Sequence, residues 1–379
     1  MTINPNGTDV PVIAADELPE EIRWFREHKK SLFIWGLPGI GKSQIIEQVA
    51  REIAQEEGLT FHMIGNDLDG VKVEDTFGFM DLRLSPMDSL DLKGGCLIDE
   101  AQDITRFLKP SMLPDVKRHG VKGFLLLDEF ADAFGMTIAG ITQLIWDGKI
   151  GDNYRLPPGW SIIAASNPPK SGFSSKETPG QANGRFGHFE LVPTTEGFVA
   201  YANKVGVHPV ITSYIRSRGV DMLHNYTKNA KAYPAPRSYM NADLAIKSTT
   251  DHKVLRRRMA SFVGEICANE LMAHITLISS GALPTWADVR DNPSTAPVAD
   301  DFSSQKAAIN FATVSMIVKS ITDVSDMANV MAYVRRLDAN FQQAFMIDVQ
   351  GRKDAKVLFN CSAVSQWLVD NPHAAITIK

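Results

Sequence analysis

The stretch "GLPGIGKS" (Gly36–Ser43) decides the fold of this 379-residue chain. It matches the pattern G-x-x-x-x-G-K-[ST] without a mismatch. The apolar run "SLFIWG" ends at its first glycine, and "KSQIIEQVAREIAQEEG" starts at its lysine with the spacing of an amphipathic helix. A buried strand, a glycine-rich turn and a helix, in this order, predict a phosphate-binding loop.

Each part of this loop has a predicted role in binding ATP and Mg²⁺. Backbone N–H groups would surround the phosphates, assisted by the N-terminus of the helix. Lys42 would reach the β- and γ-phosphates, and the Ser43 hydroxyl would bind Mg²⁺. The predicted nucleotide-binding residues are Gly36, Leu37, Pro38, Gly39, Ile40, Gly41, Lys42, Ser43 and Gln44.

Two Asp-Glu pairs compete for the second half of the site, one in "GGCLIDEAQDIT" (94–105) and one in "GFLLLDEFADAF" (123–134). The aspartate that holds magnesium must follow a buried strand beside the strand of the phosphate loop. The apolar run before Asp128 is the longer one, as expected for a strand buried on both faces. We therefore predict that Asp128 holds Mg²⁺ and that Glu129 polarises the attacking water.

The sequence after the first pair supports this choice. Pro110 and Pro114 prevent a crossover helix there, whereas the segment after Glu129 can form one. We predict instead that "CLID" and "ITRF" are short strands of a surface hairpin, joined by a polar turn at Glu100–Asp103. Its acids would then face outward, as candidates for partner contact or pore lining.

A third candidate is Asn167, which ends the apolar run in "SIIAASNPP". At the end of a strand its amide could fix the attacking water or contact the γ-phosphate. It could equally serve as the turn-forming residue before Pro168.

Composition limits the class of protein. With 44% hydrophobic and 22% charged residues and no bilayer-spanning apolar run, the chain is expected to be soluble. The N-terminus lacks the pattern of a secretory signal, and three widely separated cysteines argue against a disulfide framework or a zinc site. We expect a cytoplasmic protein without a structural metal, and the net charge of −5 disfavours strong attraction of nucleic acid.

Five motifs, "GLPGIGKS", "FLLLDE", "SIIAASNPP", "ANGRFGHFEL" and "PAPRSY", occur in the order found in AAA+ ATPases. Over about 31–245 the chain resembles this family, and most closely its MoxR-type branch. A hairpin such as "IWDGKIGDNYRLPPGW" before the sensor-1 strand, and an insert before Walker B, are typical of that branch. "GALPTW" near 281–286 is also similar to bacterial and phage members.

The resemblance implies an α/β fold: an AAA+ αβα parallel-sheet nucleotide-binding domain followed by an α-helical lid and extra C-terminal helices. The implied organisation is an N-terminal leader and helix (1–30), the αβα core with insert hairpins (31–193), the lid (194–283), a linker or loop (284–305) and a C-terminal helical extension (306–379).

The resemblance makes Gly36–Ser43 the Walker A loop and Asp128–Glu129 the Walker B pair, and it implies roles for further single residues. Asn167 would be sensor 1. Arg185 would be the arginine finger that reaches a neighbouring subunit's ATP site, and Arg237 would be sensor 2 in the lid. Arg216 and Arg218 are competitors for these arginine roles.

The implied function is that of a chaperone-like motor, a hexameric ring that hydrolyses ATP to remodel or activate a client protein. A partner with a von Willebrand factor A domain is typical of the branch. The alternative is a nucleic-acid motor or loader with DNA-stimulated ATPase activity, because "DEAQD" (99–103) is also the spelling of a helicase motif. The basic cluster "HKVLRRRM" (252–259) fits a solvated helix face or a patch for nucleic acid or a partner.

Overall fold

The computed structural model of the chain describes residues 8–68, 70–169, 180–226, 230–280, 283–299, 304–352 and 354–372. Residues 1–7 of the expected leader, the start of "GALPTW" and residues 373–379 of the expected extension lie outside these ranges. The chain divides into two compact units, Met1–Val192 and Pro193–Lys379. In the described part of the chain, no helix is long and apolar enough to cross a membrane.

Within the described ranges, the strands lie in the first unit. They are β1 (Val12–Ala14), β2 (Leu32–Gly36), β3 (Thr60–Met63), β4 (Thr76–Arg83), β5 (Cys96–Asp99), β6 (Ile104–Phe107), β7 (Lys122–Asp128), β8 (Lys149–Ile150), β9 (Tyr154–Arg155), β10 (Gly159–Ser166) and β11 (Gly187–Val192).

The helices of this unit follow or precede strands of the main sheet. They are α1 (Leu18–Glu27), α2 (Lys42–Glu56), α3 (Ser89–Lys93), α4 (Val116–His119), α5 (Gly135–Asp147) and α6 (Gly180–Asn183), with 3-10 turns at Val73–Asp75 and Phe130–Asp132.

Seven strands form one parallel sheet in the order β1-β11-β2-β10-β7-β4-β3. Alternate residues of the central strands enter two different cores, as the two-residue period of a strand requires. One core packs against α1 and α2, and the other packs against α5. The predicted α/β class with a covered parallel sheet is therefore confirmed. The carboxyl ends of β2, β10 and β7 meet at one edge, where the phosphate loop begins.

Two strands of the sheet differ from the sequence expectation. No strand is predicted for the sequence of β4, yet β4 pairs along its length with β7. Its Gly78 allows close packing, because a Cβ there would lie 2.6 Å from the His119 carbonyl oxygen and the Trp160 ring. β1 lies in the expected leader but pairs with β11 at the edge of the sheet.

Both predicted hairpins are present. β5 pairs antiparallel with β6, and β8 with β9. Every residue of β6 is exposed, as are three of the four residues of β5. The first Asp-Glu pair therefore lies on a surface hairpin, as the sequence predicted.

The second unit is helical. Its helices are α7 (Thr195–Lys204), α8 (Pro209–Arg218), α9 (Val220–Leu223), α10 (Pro236–Ser248), α11 (His252–Val263), α12 (Glu265–Ser279), α13 (Trp286–Asp291), α14 (Ser304–Ser320), α15 (Met327–Val334), α16 (Ala339–Gln350), α17 (Ala355–Phe359) and α18 (Ser362–Asp370).

One core joins α7 to α12 and a second joins α13 to α18. The segment expected to be a linker, 284–305, contains α13, whose Val289 is fully buried in the second core. The helix starts there because Thr285 and Asp288 form a reciprocal capping box.

Candidate functional site

The predicted phosphate loop, Gly36–Ser43, owes its shape to its glycines. Gly39 (φ 79°) and Gly41 (φ 100°) adopt backbone conformations that glycine reaches without strain. Gly36 sits where a Cβ would lie 2.7 Å from the Ile40 side chain and 3.1 Å from the Leu191 carbonyl oxygen. The turn delivers the chain directly into α2, so the unpaired N–H groups of the first helical turn lie beside the loop.

Lys42, the first residue of α2, is buried. Its ammonium group donates to the Gly36 carbonyl oxygen (2.6 Å) and the Leu37 carbonyl oxygen (3.2 Å). It also donates to Asn167 Oδ1 at 3.2 Å. Asn167 directly follows β10, which pairs with β2, so neighbouring strands bring these two predicted site residues into contact. A phosphate in the loop would compete with these neutral acceptors for the ammonium group.

Asp128, the last residue of β7, lies beside the same loop. The Ser43 hydroxyl donates to Asp128 Oδ2 across 3.4 Å, and Asp128 Oδ1 accepts from the backbone N–H of Glu129. Asp99 instead caps its own hairpin turn at Gln102 and pairs with Arg106 at 3.0 Å. Of the two Asp-Glu pairs, it is therefore the second that lies beside the phosphate loop.

Glu129 has a left-handed backbone (φ 55°, ψ 36°), which is uncommon for a residue other than glycine. Its carboxylate accepts a hydrogen bond from the Ser85 hydroxyl. Ser85 follows β4, the neighbour of β7, and is not among the residues predicted from the sequence. No motif marks it, because its role depends on β4 pairing with β7.

Asp81 is a second residue near the loop that was not predicted from the sequence. It lies two residues before Arg83, the residue that pairs in register with Asp128. Desolvation, followed by the negative charge of Asp128, raises the pKa of Asp81, and Arg83 opposes this shift. The charges of Glu129 and Glu47 also raise the pKa of Asp81, so negative charge is concentrated around Ser43 and Asp128.

The oxygen ligands at this edge fit a magnesium ion. Mg²⁺ prefers hydroxyl, carboxylate and phosphate oxygens, and typically uses only one or two carboxylates from the protein. Ser43 and Asp128 would hold it. Within the described ranges, no group of three or more His, Cys, Asp or Glu residues could hold a metal ion by itself.

Arg185 lies between α6 and β11, at some distance along the chain from the loop. Its Nη1 donates to the Thr142 carbonyl oxygen of α5 at 2.8 Å. Its guanidinium carbon lies 5.2 Å from the centre of the Trp146 ring. These residues line a cleft of about 440 Å³ together with Ala139 and Gln143.

The other candidate arginines lie in the second unit. Arg237 is exposed in the first turn of α10. Arg216 forms a bidentate ion pair with Asp348 of α16, with both N–O distances at 2.6 Å. Arg218 pairs with Glu270 at 3.5 Å. Arg216 is therefore committed to a buried structural contact, which argues against its role as an arginine finger.

The basic cluster is partly neutralised by its own neighbours. Arg256 donates to Glu265 at 2.6 Å and to Asn269 at 2.8 Å. Arg258 donates to the Ser248 hydroxyl. These contacts favour the interpretation as a solvated helix face over a dedicated nucleic-acid patch.

The β5–β6 hairpin exposes apolar side chains beside its acidic turn. Ile98 is 77% exposed and Leu97 is 51% exposed. The base of the hairpin is fixed, because the Asn153 side-chain amide donates to the carbonyl oxygens of Lys93 (3.1 Å) and Leu108 (3.2 Å). The hairpin therefore exposes its apolar side chains above a fixed base, at Lys93 and Leu108, which we call its neck.

No family model matches the sequence, and no curated protein matches it. Similar solved structures include NtrX from Brucella abortus in complex with ADP, with TM-score 0.38, 15% identity, and 93% of this chain and 64% of that chain covered. A RuvB variant from Thermotoga maritima has TM-score 0.36 and 14% identity, with 70% of each chain covered. The ADP form of ORC2 from Aeropyrum pernix has TM-score 0.36 and 13% identity, covering 68% of this chain and 67% of that chain. Similarities at this level do not define a function for this chain.

Proposed function

We propose that the protein is a Mg²⁺-dependent AAA+ ATPase of the MoxR-type branch. The observation that carries the proposal is the group of side chains at the head of α2. The Ser43 hydroxyl lies 3.4 Å from the Asp128 carboxylate, beside the buried ammonium group of Lys42. A glycine loop with this arrangement at its end fits the β- and γ-phosphates of a nucleoside triphosphate.

Each residue has a distinct task in this proposal. Lys42 binds the terminal phosphates, and Asn167, which is already hydrogen-bonded to it, positions the γ-phosphate or the attacking water. Ser43 and Asp128 hold Mg²⁺, which supplies charge compensation at the phosphate oxygens when bound. Glu129 accepts a proton from the attacking water, and its hydrogen bond to Ser85 limits the positions of its carboxylate.

The chain acts as a homo-oligomer, a hexameric ring, because hydrolysis uses an arginine from the neighbouring subunit. Arg185 is that arginine, and an arginine supplied in trans can raise kcat about 10³–10⁵-fold. Arg237 contacts the γ-phosphate as sensor 2. The ring works as a chaperone-like motor on a client protein or a partner with a von Willebrand factor A domain. The exposed apolar hairpin is the surface that contacts the client.

The Walker B assignment is tested by two matched variants, Glu129→Gln and Glu100→Gln. We expect Glu129→Gln to lower kcat by about 10²–10⁴-fold, the usual contribution of a general base, without weakening ATP binding. Glu100→Gln, which changes the equivalent residue of the exposed hairpin, should hydrolyse ATP at the wild-type rate. Loss of turnover in Glu100→Gln alone would reverse the assignment.

The oligomer is tested by mass measurement with and without a non-hydrolysable ATP analogue. A hexamer with the analogue supports the ring, and a monomer under both conditions contradicts it. Affinity capture on Glu129→Gln should retain the client. DNA-stimulated ATPase activity at low salt, with no captured protein, would favour the nucleic-acid motor instead.

A further inference from the structure

Trp146 presents an aromatic ring on the surface of α5, against Arg185. It lies in the last turn of α5 and is 67% exposed, although the neighbouring Leu144 is fully buried in the core. Single exposed apolar residues are common on protein surfaces, so what matters at Trp146 is what its ring contacts. Its one ring contact in the described part of the chain is with the Arg185 guanidinium, at 5.2 Å.

The guanidinium of Arg185 is held from two directions. The Thr142 carbonyl oxygen accepts one of its five N–H donors at 2.8 Å, and the Trp146 ring lies against it. Both contacts come from α5, one helical turn apart on the same side of the helix. The carbonyl fixes the direction of the guanidinium, and the aromatic ring attracts its charge without using further N–H donors. The remaining donors stay available for a phosphate.

Helix α5 also begins close to Asp128 and Glu129. β7 ends at Asp128, Glu129 follows, and α5 begins at Gly135 after one 3-10 turn. The N-terminus of α5 is therefore close in sequence to the subunit's own Walker B pair, while its C-terminal turns hold Arg185. α5 connects the residues proposed to work on the subunit's own ATP with the arginine proposed to work on its neighbour's.

We propose that Trp146 is a positioning residue for the arginine finger. It acts through Arg185 by orienting the guanidinium toward the γ-phosphate bound by the adjacent subunit. The inference rests on the proposed function, because it requires Arg185 to act in trans. Removing the Trp146 ring should lower kcat but leave the KM for ATP unchanged, since Trp146 does not belong to the subunit's own phosphate loop.

The test uses mixed rings of two variants that are each inactive alone. Glu129→Gln keeps the arginine but cannot activate water, whereas Arg185→Ala keeps the intact Walker B pair. Mixing them should restore turnover at the boundaries where a Glu129→Gln subunit supplies Arg185 to an Arg185→Ala subunit. Trp146→Leu is then introduced as a second substitution into one of the two variants at a time. The mass of the ring is measured for each mixture.

In the subunit that supplies Arg185, Trp146→Leu should reduce the restored kcat by roughly 2- to 30-fold, the range expected for loss of a cation–π contact. Trp146→Phe, which keeps an aromatic face, should retain most of the activity. In the Arg185→Ala subunit the same change should cause no further loss. Trp24→Leu, which removes another half-exposed tryptophan (48%), serves as the matched control and should have no effect in either subunit.

The outcomes separate the two proposals. If mixing restores no turnover, then Arg185 does not act in trans and the ring mechanism fails. If mixing restores turnover but Trp146→Leu has no effect in the subunit that supplies Arg185, the positioning role is wrong. An equal loss in both subunits, or no rescue by Trp146→Phe, also overturns it, because either result indicates a general packing role.

Discussion

The ion pair between Arg216 and Asp348 gives a prediction whose magnitude follows from its burial. The two side chains are 6% and 1% exposed, and both guanidinium–carboxylate distances are 2.6 Å. The Asn203 side-chain amide donates to the same carboxylate at 3.0 Å. Burial raises the pKa of Asp348, and the charge of Arg216 opposes that shift. Removing either partner would leave the other charge buried and unpaired.

The cost of such a removal is about 3–5 kcal/mol of unfolding free energy. For a unit of 150–250 residues, each kcal/mol corresponds to roughly 2–4 °C in Tm, so Arg216→Met should lower Tm by about 6–20 °C. Asp348→Leu should cost a similar amount. The double variant should recover most of the loss, because an apolar pair of similar volume replaces a buried ion pair at little cost.

Calorimetry on the wild type, both single variants and the double variant measures these values. Arg335→Met is the control, since the Arg335–Asp370 pair has a similar distance (2.8 Å) but is about 40% exposed. It should cost about 1 kcal/mol or less. ATP turnover of folded Arg216→Met at low temperature should equal that of the wild type. A stable Arg216→Met protein without turnover would refute the reasoning, because Arg216 would then be catalytic.

Two further predictions concern His274 in the second unit and Ser85 beside Glu129. Burial, followed by the charge of Arg218, lowers the pKa of His274 to about 4, so the folded protein resists its protonation. The free energy of unfolding should be constant above pH 6.5 and fall by about 3 kcal/mol as the pH decreases from 6.5 to 4. His274→Asn should remove this part of the pH dependence, measured as the urea midpoint of unfolding at each pH. Ser85→Ala should lower kcat about 10- to 100-fold at unchanged KM for ATP, since it removes a charge-assisted hydrogen bond to Glu129; an unchanged or higher kcat would contradict the positioning role of Ser85.

Features with local sequence signals were predicted correctly. The strand, glycine-rich turn and helix around Lys42 follow from the glycine and lysine spacing, and both hairpins follow from short β-type runs around polar turns. The continuous apolar run before Asp128 also identified a central strand. Signals of this kind depend on residues that are close together in the sequence.

β4 had no comparable signal, because its stability comes from pairing on both sides rather than from its own pattern. Ser85 and Asp81 were missed for the same reason. Their proximity to Glu129 and Asp128 exists only once β4 lies beside β7. In the same way, the sequence suggested Arg185 but not Thr142 or Trp146, which lie about forty residues away along the chain and hold it through the tertiary fold.

The neck of the exposed hairpin shows how a surface insert can be connected to the phosphate loop. Asn153 lies in the turn between β8 and β9 and joins both sides of the neck through its two amide hydrogens. The chain then continues from β9 into β10, which pairs with β2 and leads to Asn167. Asn167 contacts Lys42 at 3.2 Å. The segment from Asn153 to Asn167 therefore connects the hairpin that carries the exposed apolar side chains with the ammonium group of Lys42.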